Sequence, residues 1–286
     1  MHQRGCARMD NSQSDEECRA FGALLSEWMF LAKVPLLATS HLFERHAMCS
    51  STASMEGKTV VVTGATSGIG LETAIELARR KARVILACRD VEKANAVAQL
   101  IHDETKQIAV VKRLVLDSFE SVREFCDQVN RSEDRLDVLI NNAGLINCST
   151  EFTYTKDGFE TCFQANHLSP VLLTLLLLGV TVNSLHPGLV QTPIASHGSL
   201  LRKLIFQVVA HTKGKTAVEG AQTTVQLAVD PALEKTTGEY FEECAPASER
   251  YRSPLLGDRA LAERVFRTSA QLVGLGADEL CCTRNP

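Results

Sequence analysis

Apolar positions along the chain switch between two periods, and the switches mark out the elements. "KTVVVTG", centred on Val61, is a short β-branched run, and Leu71, Ala74, Ile75 and Ala78 follow it at helical spacing. That pairing predicts one strand and one amphipathic helix. The cycle recurs in "RVILAC" with Ala94, Val97, Ala98 and Ile101, and in "IAVVKRLVL" with Phe119, Val122, Cys126 and Val129. A fourth run, "LDVLI", leads into Asn141. Strands alternating with helices in this way predict a parallel sheet covered on both faces.

Beyond these units the pattern is sparser. "SHGSLLRKLIFQVVA" predicts a helix, and Thr216 with Glu219 makes a capping box for another that stops near Asp230 and Pro231. "GEYFEEC" predicts a strand ahead of a C-terminal helix carrying Leu261, Val265 and Leu272. Residues 1–54 hold no sustained period and read as an N-terminal extension, leaving one domain over 55–286 that starts near Met55. Inside the extension, the apolar stretch from Phe21 to Phe43 is broken by Glu27, Lys33 and Pro35 and has acidic rather than basic residues ahead of it. It is therefore a poor signal peptide, and weak membrane association through it stays open.

Composition narrows the classes. The 286 residues are 45% hydrophobic with a net charge of −4, enough to bury a sizeable single core and without the basic excess of a nucleic-acid partner. Cysteines such as Cys88, Cys126, Cys148 and Cys162 sit within apolar-periodic segments and form no C-x-x-C pair. This argues against a metal site and against a disulfide framework. A reducing compartment follows: intracellular, cytoplasmic or on the cytoplasmic side of an internal membrane.

Candidate chemistry begins where the first strand meets the first helix, in "VVVTGATSGIGLETA". Gly64, Gly68 and Gly70 there permit a tight turn, close approach of a pyrophosphate and close helix packing. Ser67, Gly68 and Ile69 at the helix start would face the phosphates, assisted by the helix dipole. The second strand ends in "CRD", where a dinucleotide site reads the adenosine ribose. Cys88 stands where an NAD-type carboxylate is expected, and Arg89 suits a 2′-phosphate, so NADP(H) is favoured over NAD(H). Asp90 has two readings, a ribose ligand or the N-cap of the helix from Val91.

These residues, together with others, resemble the short-chain dehydrogenase/reductase family. The motifs are T-G-x-x-x-G-x-G at Thr63 to Gly70, Asp117 after the third strand, "NNAG" from Asn141, Asn166 in "FQANHL", and "HPG" from His186. "VILACRD", "TKDGFET" and "VTVNSLHPG" are similar to the retinol dehydrogenase-like branch, and the resemblance runs from Glu56 to about Leu275. It implies a single-domain, Rossmann-type doubly wound α/β fold and an NADP(H)-dependent oxidoreductase acting on lipophilic alcohols or carbonyls. It also implies that Asp117 touches the adenine, that Asn142, Ala143 and Gly144 support the cofactor, and that Pro187, Gly188 and Thr192 flank the nicotinamide. Homo-oligomerisation stays open.

The family also places a Ser and a Y-x-x-x-K pair between the Asn and the Pro-Gly, the Tyr protonating the carbonyl oxygen while the Lys lowers its pKa and holds the ribose. Here the residues between Asn166 and Pro187 are spent on finishing a helix near Leu178 and making the strand "VTVNSL". None of Tyr154, Tyr240 and Tyr251 has Lys four positions on, so Asn166 alone remains of the catalytic set. A seam near 178–179 is expected, with the sheet short of one central strand and one helix. The strand at Val180 to Leu185 would then pair beside "LDVLI", and Leu172 to Leu178 would lose their cover. Three readings follow: a family enzyme whose segment was lost through a skipped exon or faulty gene model, a non-catalytic NADP-binding or interaction protein, and an oxidoreductase with a relocated acid drawn from Tyr154 or His186.

Overall fold

The computed structural model describes residues 46–146, 152–177, 181–192, 214–248 and 254–275. Strands β1 (Thr59–Thr63), β2 (Arg83–Cys88), β3 (Val110–Arg113) and β4 (Val138–Ile140) form one parallel sheet in the order β3-β2-β1-β4. In its register Val61 lies opposite both Ile85 and Leu139. The crossovers are α1 (Gly68–Arg79), α2 (Val91–Thr105) and α3 (Phe119–Ser132), as the alternating pattern predicts.

Each strand feeds two cores because successive side chains point to opposite faces. Val60, Val62, Val84 and Leu86 pack with Leu77 of α1, Ile101 of α2 and Val225 of α6 (Ala217–Val229; α4 and α5 are placed below). Val61, Ile85 and Ala87 pack on the other side with Phe125 and Val129 of α3 and with Leu168, Leu172 and Leu173. These side chains are almost fully buried, each stabilising the fold by about 1–3 kcal/mol. The helix starts follow local chemistry. Asp90 caps α2 through the Lys93 N–H (3.1 Å), Ser118 caps α3 through Ser121 (3.1 Å), and Thr216 with Glu219 forms the expected capping box on α6.

The later chain departs from expectation. A helical stretch runs as α4 (Thr161–Phe163), a π-helical turn (Gln164–Leu168) and α5 (Ser169–Leu177). β5 (Ser184–His186) then pairs in parallel with β6 (Tyr240–Glu242), whose other edge takes β7 (Ala245–Pro246). The expected pairing beside "LDVLI" does not form: β4 and β5 belong to different sheets, because β5 finds its hydrogen-bonding partner in β6. Nor is the α5 surface left open. Leu172 and Leu173 are fully buried against α3, and Leu175 to Leu177 are partly covered. The C-terminal helix α7 (Arg259–Leu272) docks by its last turn, through Ser269, Ala270 and Val273, while Val265 and Phe266 remain exposed.

The compact unit begins at His46, ahead of the expected boundary at Met55. Residues 46–54 lie along α6 and α1 as a strap. Ala47, Cys49 and Ser50 donate their backbone N–H groups to Glu243, Gln222 and Gln226, and Arg80 donates to the carbonyls of Ser51 and Ala53. Such a strap has no apolar period because side-chain amides and a guanidinium hold it. The stretch Phe21 to Phe43, the helix expected over 196–210, and the seam expected near 178–179 lie outside the described residues.

Candidate functional site

β1 ends at Thr63, whose buried hydroxyl is a hub. Its Oγ1 accepts from the N–H groups of Asn142 (3.0 Å) and Ala143 (2.9 Å) and donates to the carbonyl of Ile140 (3.3 Å). The glycine turn is thereby bolted to the end of β4. Gly64 adopts φ +65°, and a Cβ on it would lie 2.9 Å from Ala143 Cα. A Cβ on Gly70 would collide with Asn142 Nδ2. Asn142 spends that amide on the carbonyl of Thr63 (2.8 Å), so it staples the turn.

The helix that follows keeps its N-terminus free of a side-chain cap. Ser67 occupies the N-cap position, is exposed, and makes no capping hydrogen bond. The turn therefore presents the first-turn amides from Gly68 and Ile69, and the Ser67 hydroxyl, at the positive end of the α1 dipole. At the end of β2, Cys88 is buried against the turn. Burial pushes its thiol up, outweighing the Ala65 and Gly64 amides that favour the thiolate, so it is neutral near pH 7. Arg89 beside it is exposed, with no carboxylate partner among the described residues. Of the two readings of Asp90 the structure realises the N-cap. The Lys93 N–H, followed by its ammonium (3.0 Å), holds that carboxyl below the ordinary aspartate range.

Asp117 lines an open cleft beyond β3 with Arg113, Ser118, Tyr154 and Lys156. Lys156 is paired with Glu120 (2.6 Å) and Tyr154 is 71% exposed, so the two do not form a working pair. Asn166 sits in the π-helical turn, a feature frequent at functional sites. Its Nδ2 donates to the Leu145 carbonyl (2.8 Å) and its Oδ1 accepts from the Leu145 N–H (2.9 Å). Both ends of Asn166 thus clamp the chain just past Gly144. Sequence reasoning missed the support below it. Gln164, fully buried, donates to Asp157 (2.6 Å), which also accepts from the Phe119 N–H (2.8 Å). The motif "TKDGFET" carries that signal.

The Pro187 loop leaves β5 through Gly188 at φ +85°. The Gly188 N–H donates to His186 Nδ1 (3.2 Å), so that ring nitrogen is engaged within the loop. Gln191 and half-buried Thr192 follow at the edge of the described stretch. A second residue missed by sequence reasoning is Lys215, only 5% exposed, whose ammonium pairs with Glu243 behind Gly188. The structure thus gathers the glycine turn, the "NNAG" loop and Asn166 into one hydrogen-bonded assembly. No cluster of metal-ligating side chains occurs among the described residues.

Comparison with known proteins decides the family. The model of the short chain dehydrogenase family matches residues 58–179. Mouse retinol dehydrogenase 14 is 35% identical, with 77% of this chain and 87% of that protein covered. The chain belongs to the short-chain dehydrogenase/reductase family. Its place is in the retinol dehydrogenase-like branch: human retinol dehydrogenase 12 is 33% identical over 89% of this chain and 98% of its own. A solved structure from Mycobacterium paratuberculosis superposes with a TM-score of 0.58 at 27% identity, covering 81% of this chain and 98% of that one. A short-chain dehydrogenase from Shigella flexneri, solved with NADP, has a TM-score of 0.56 at 23% identity, covering 68% and 100%, a likeness of fold.

Proposed function

We propose that this chain is a retinol dehydrogenase-like oxidoreductase that binds NADP(H) in preference to NAD(H) and whose carbonyl chemistry is impaired because the Ser and Tyr-x-x-x-Lys segment is absent. The observation that carries this reading is the break between β4 and β5. In a doubly wound sheet the central strands are joined by crossovers, yet here β4 is paired on one side by β1 and β5 lies in another sheet. The family match also stops at residue 179, where the sequence predicts the seam. The alignment to mouse retinol dehydrogenase 14 is 296 residues long but uses 77% of a 286-residue chain, so stretches of that relative face no residue here.

The residues present fit the nucleotide. The uncapped α1 start suits the pyrophosphate, and a neutral Cys88 beside exposed Arg89 presents a 2′-phosphate with no repelling carboxylate. A bound nicotinamide would supply the hydride chemistry. The chain's own task is then to stabilise and protonate the carbonyl oxygen. His186 Nδ1 is engaged with Gly188, Lys215 with Glu243, and Tyr154 is remote in a surface hairpin with Glu160. Losing a positioned acid costs about 10²- to 10⁴-fold, and an alkoxide developing without donors in a dry pocket adds to this. The intact cofactor half also favours a second reading, a non-catalytic NADP-binding or interaction protein.

NADPH consumption with retinal tests the proposal. The chain as it stands should show background rates, and insertion at Leu178 of the strand and Y-x-x-x-K helix of a retinol dehydrogenase should restore turnover. Robust turnover by the uninserted chain, abolished by Tyr154→Phe or His186→Ala, overturns it in favour of a relocated acid.

A further inference from the structure

Lys215 is a buried cation for which nothing described so far gives a role. It lies just before α6, and its backbone bridges the Pro187 loop: its N–H donates to the Leu189 carbonyl (2.8 Å) and its carbonyl accepts from the Gln191 N–H (2.9 Å). Its side chain returns along the same loop, with Cε, Nζ and Cδ 3.2–3.5 Å from where a Gly188 Cβ would be. The ammonium ends on Glu243, in the turn between β6 and β7, where Glu243 and Cys244 both adopt left-handed backbone angles. The other oxygen of Glu243 accepts from Ala47 of the strap (2.9 Å). Between the two, Val190 packs so closely on α6 that a Cβ on Gly220 would lie 2.8 Å from it, and Ile69 of the phosphate turn lies 3.3 Å from the same point.

A buried lysine is costly unless paired, and removing one partner strands the other. Such an expense at one loop implies that the loop's position matters. We propose that Lys215, anchored by Glu243, is the positioning residue of the Pro187 to Thr192 loop and so sets the nicotinamide half of the nucleotide site. This rests on the NADP(H) reading above. The ammonium touches neither the reacting atoms nor the phosphate turn. It fixes the height of Gly188 over α6, and through Glu243 it ties that height to the strap. Its charge is spent on the carboxylate, which separates it from the missing lysine of the family's catalytic pair.

The adenine half of the site lies at Arg89 and Asp117, so the two halves can be probed apart. With the full chain, NADPH reports both halves and adenosine 2′,5′-bisphosphate reports the adenine half alone. Lys215→Met should weaken NADPH roughly 5- to 30-fold, the factor that one or two hydrogen-bond-sized contacts amount to, and leave the bisphosphate unchanged. Glu243→Gln should give the same selective loss, and the double variant no more than Lys215→Met alone. Equal weakening of both probes in Lys215→Met and Glu243→Gln would mean a general loss of structure and overturns the proposal. So does unchanged NADPH affinity in a Lys215→Met chain whose parent binds both probes. A parent chain that binds neither probe overturns the NADP(H) reading itself, and the proposal with it.

Discussion

The hydroxyl of Thr63 offers the sharpest test of how the turn is held. Thr63→Val keeps the shape and β propensity of the side chain but removes its oxygen, which is 1% exposed. The N–H groups of Asn142 and Ala143 lose their acceptor and the Ile140 carbonyl loses a donor. At about 1 kcal/mol per hydrogen bond, and up to about 3 for a group left dry, the loss should total roughly 2–4 kcal/mol. For a chain of this size that is a fall in Tm of roughly 5–15 °C. Thr63→Ser keeps the oxygen and loses one methyl, for about 1 kcal/mol. Urea unfolding of the three proteins, with m checked for constancy, measures the difference. If the valine variant is as stable as the serine variant, the hub is not holding the "NNAG" loop and the account of the turn fails.

Further outcomes follow from the same geometry. Arg89→Ala should narrow the preference for NADPH over NADH in a fluorescence titration while leaving NADH affinity unchanged, and equal affinities in the parent would remove Arg89 from the site. A chain beginning at Met55 should melt below one beginning at His46, by an amount corresponding to about 2–4 kcal/mol, because the strap's hydrogen bonds to Glu243, Gln222, Gln226 and Arg80 are gone. The Glu133 carboxyl is held below the ordinary glutamate value chiefly by its hydrogen bond to Arg83 (2.6 Å). Its contribution is therefore complete above the unfolded-state value and lost as pH falls through the lower folded one. The stability gap between the parent and Glu133→Gln should be full above the unfolded-state value of about 4.3 and close as pH falls below it, and a gap that stays constant through acid titration contradicts the pairing.

What the sequence made legible was whatever depends on a local period. β1 and α1 follow from "TVVVT" and from Leu71 to Ala78 because burial on one or two faces imposes spacing on the residues themselves. The turn between them was legible because glycines are required where Ala143 and Asn142 come within contact distance. The partner of β5 was not: a parallel strand carries no mark of which neighbour it will have, and "VTVNSL" fits β4 and β6 equally well until the competing strand is known. Lys215 and Glu243 were hidden for a related reason. A charged residue on a polar background announces nothing until the fold buries it, and their meeting depends on the turn after β6. The strap leaves no local period, because it is held by Gln222 and Gln226, which accept its backbone N–H groups from far along the chain.

That strap has a consequence for synthesis. Ala47 leaves the ribosome early, but its acceptor on Glu243 lies 196 positions later. At about 5–20 residues per second the two are separated by roughly 10–40 s of translation. During that interval β1 to β4 can assemble, since their contacts are near in order, and Arg80 can already hold Ser51 and Ala53, while Ala47, Cys49 and Ser50 wait for Glu243, Gln222 and Gln226. Full docking of the strap therefore waits for the turn after β6. A product truncated between β4 and β6 would carry all four strands of the parallel sheet and a strap without its anchor at Glu243.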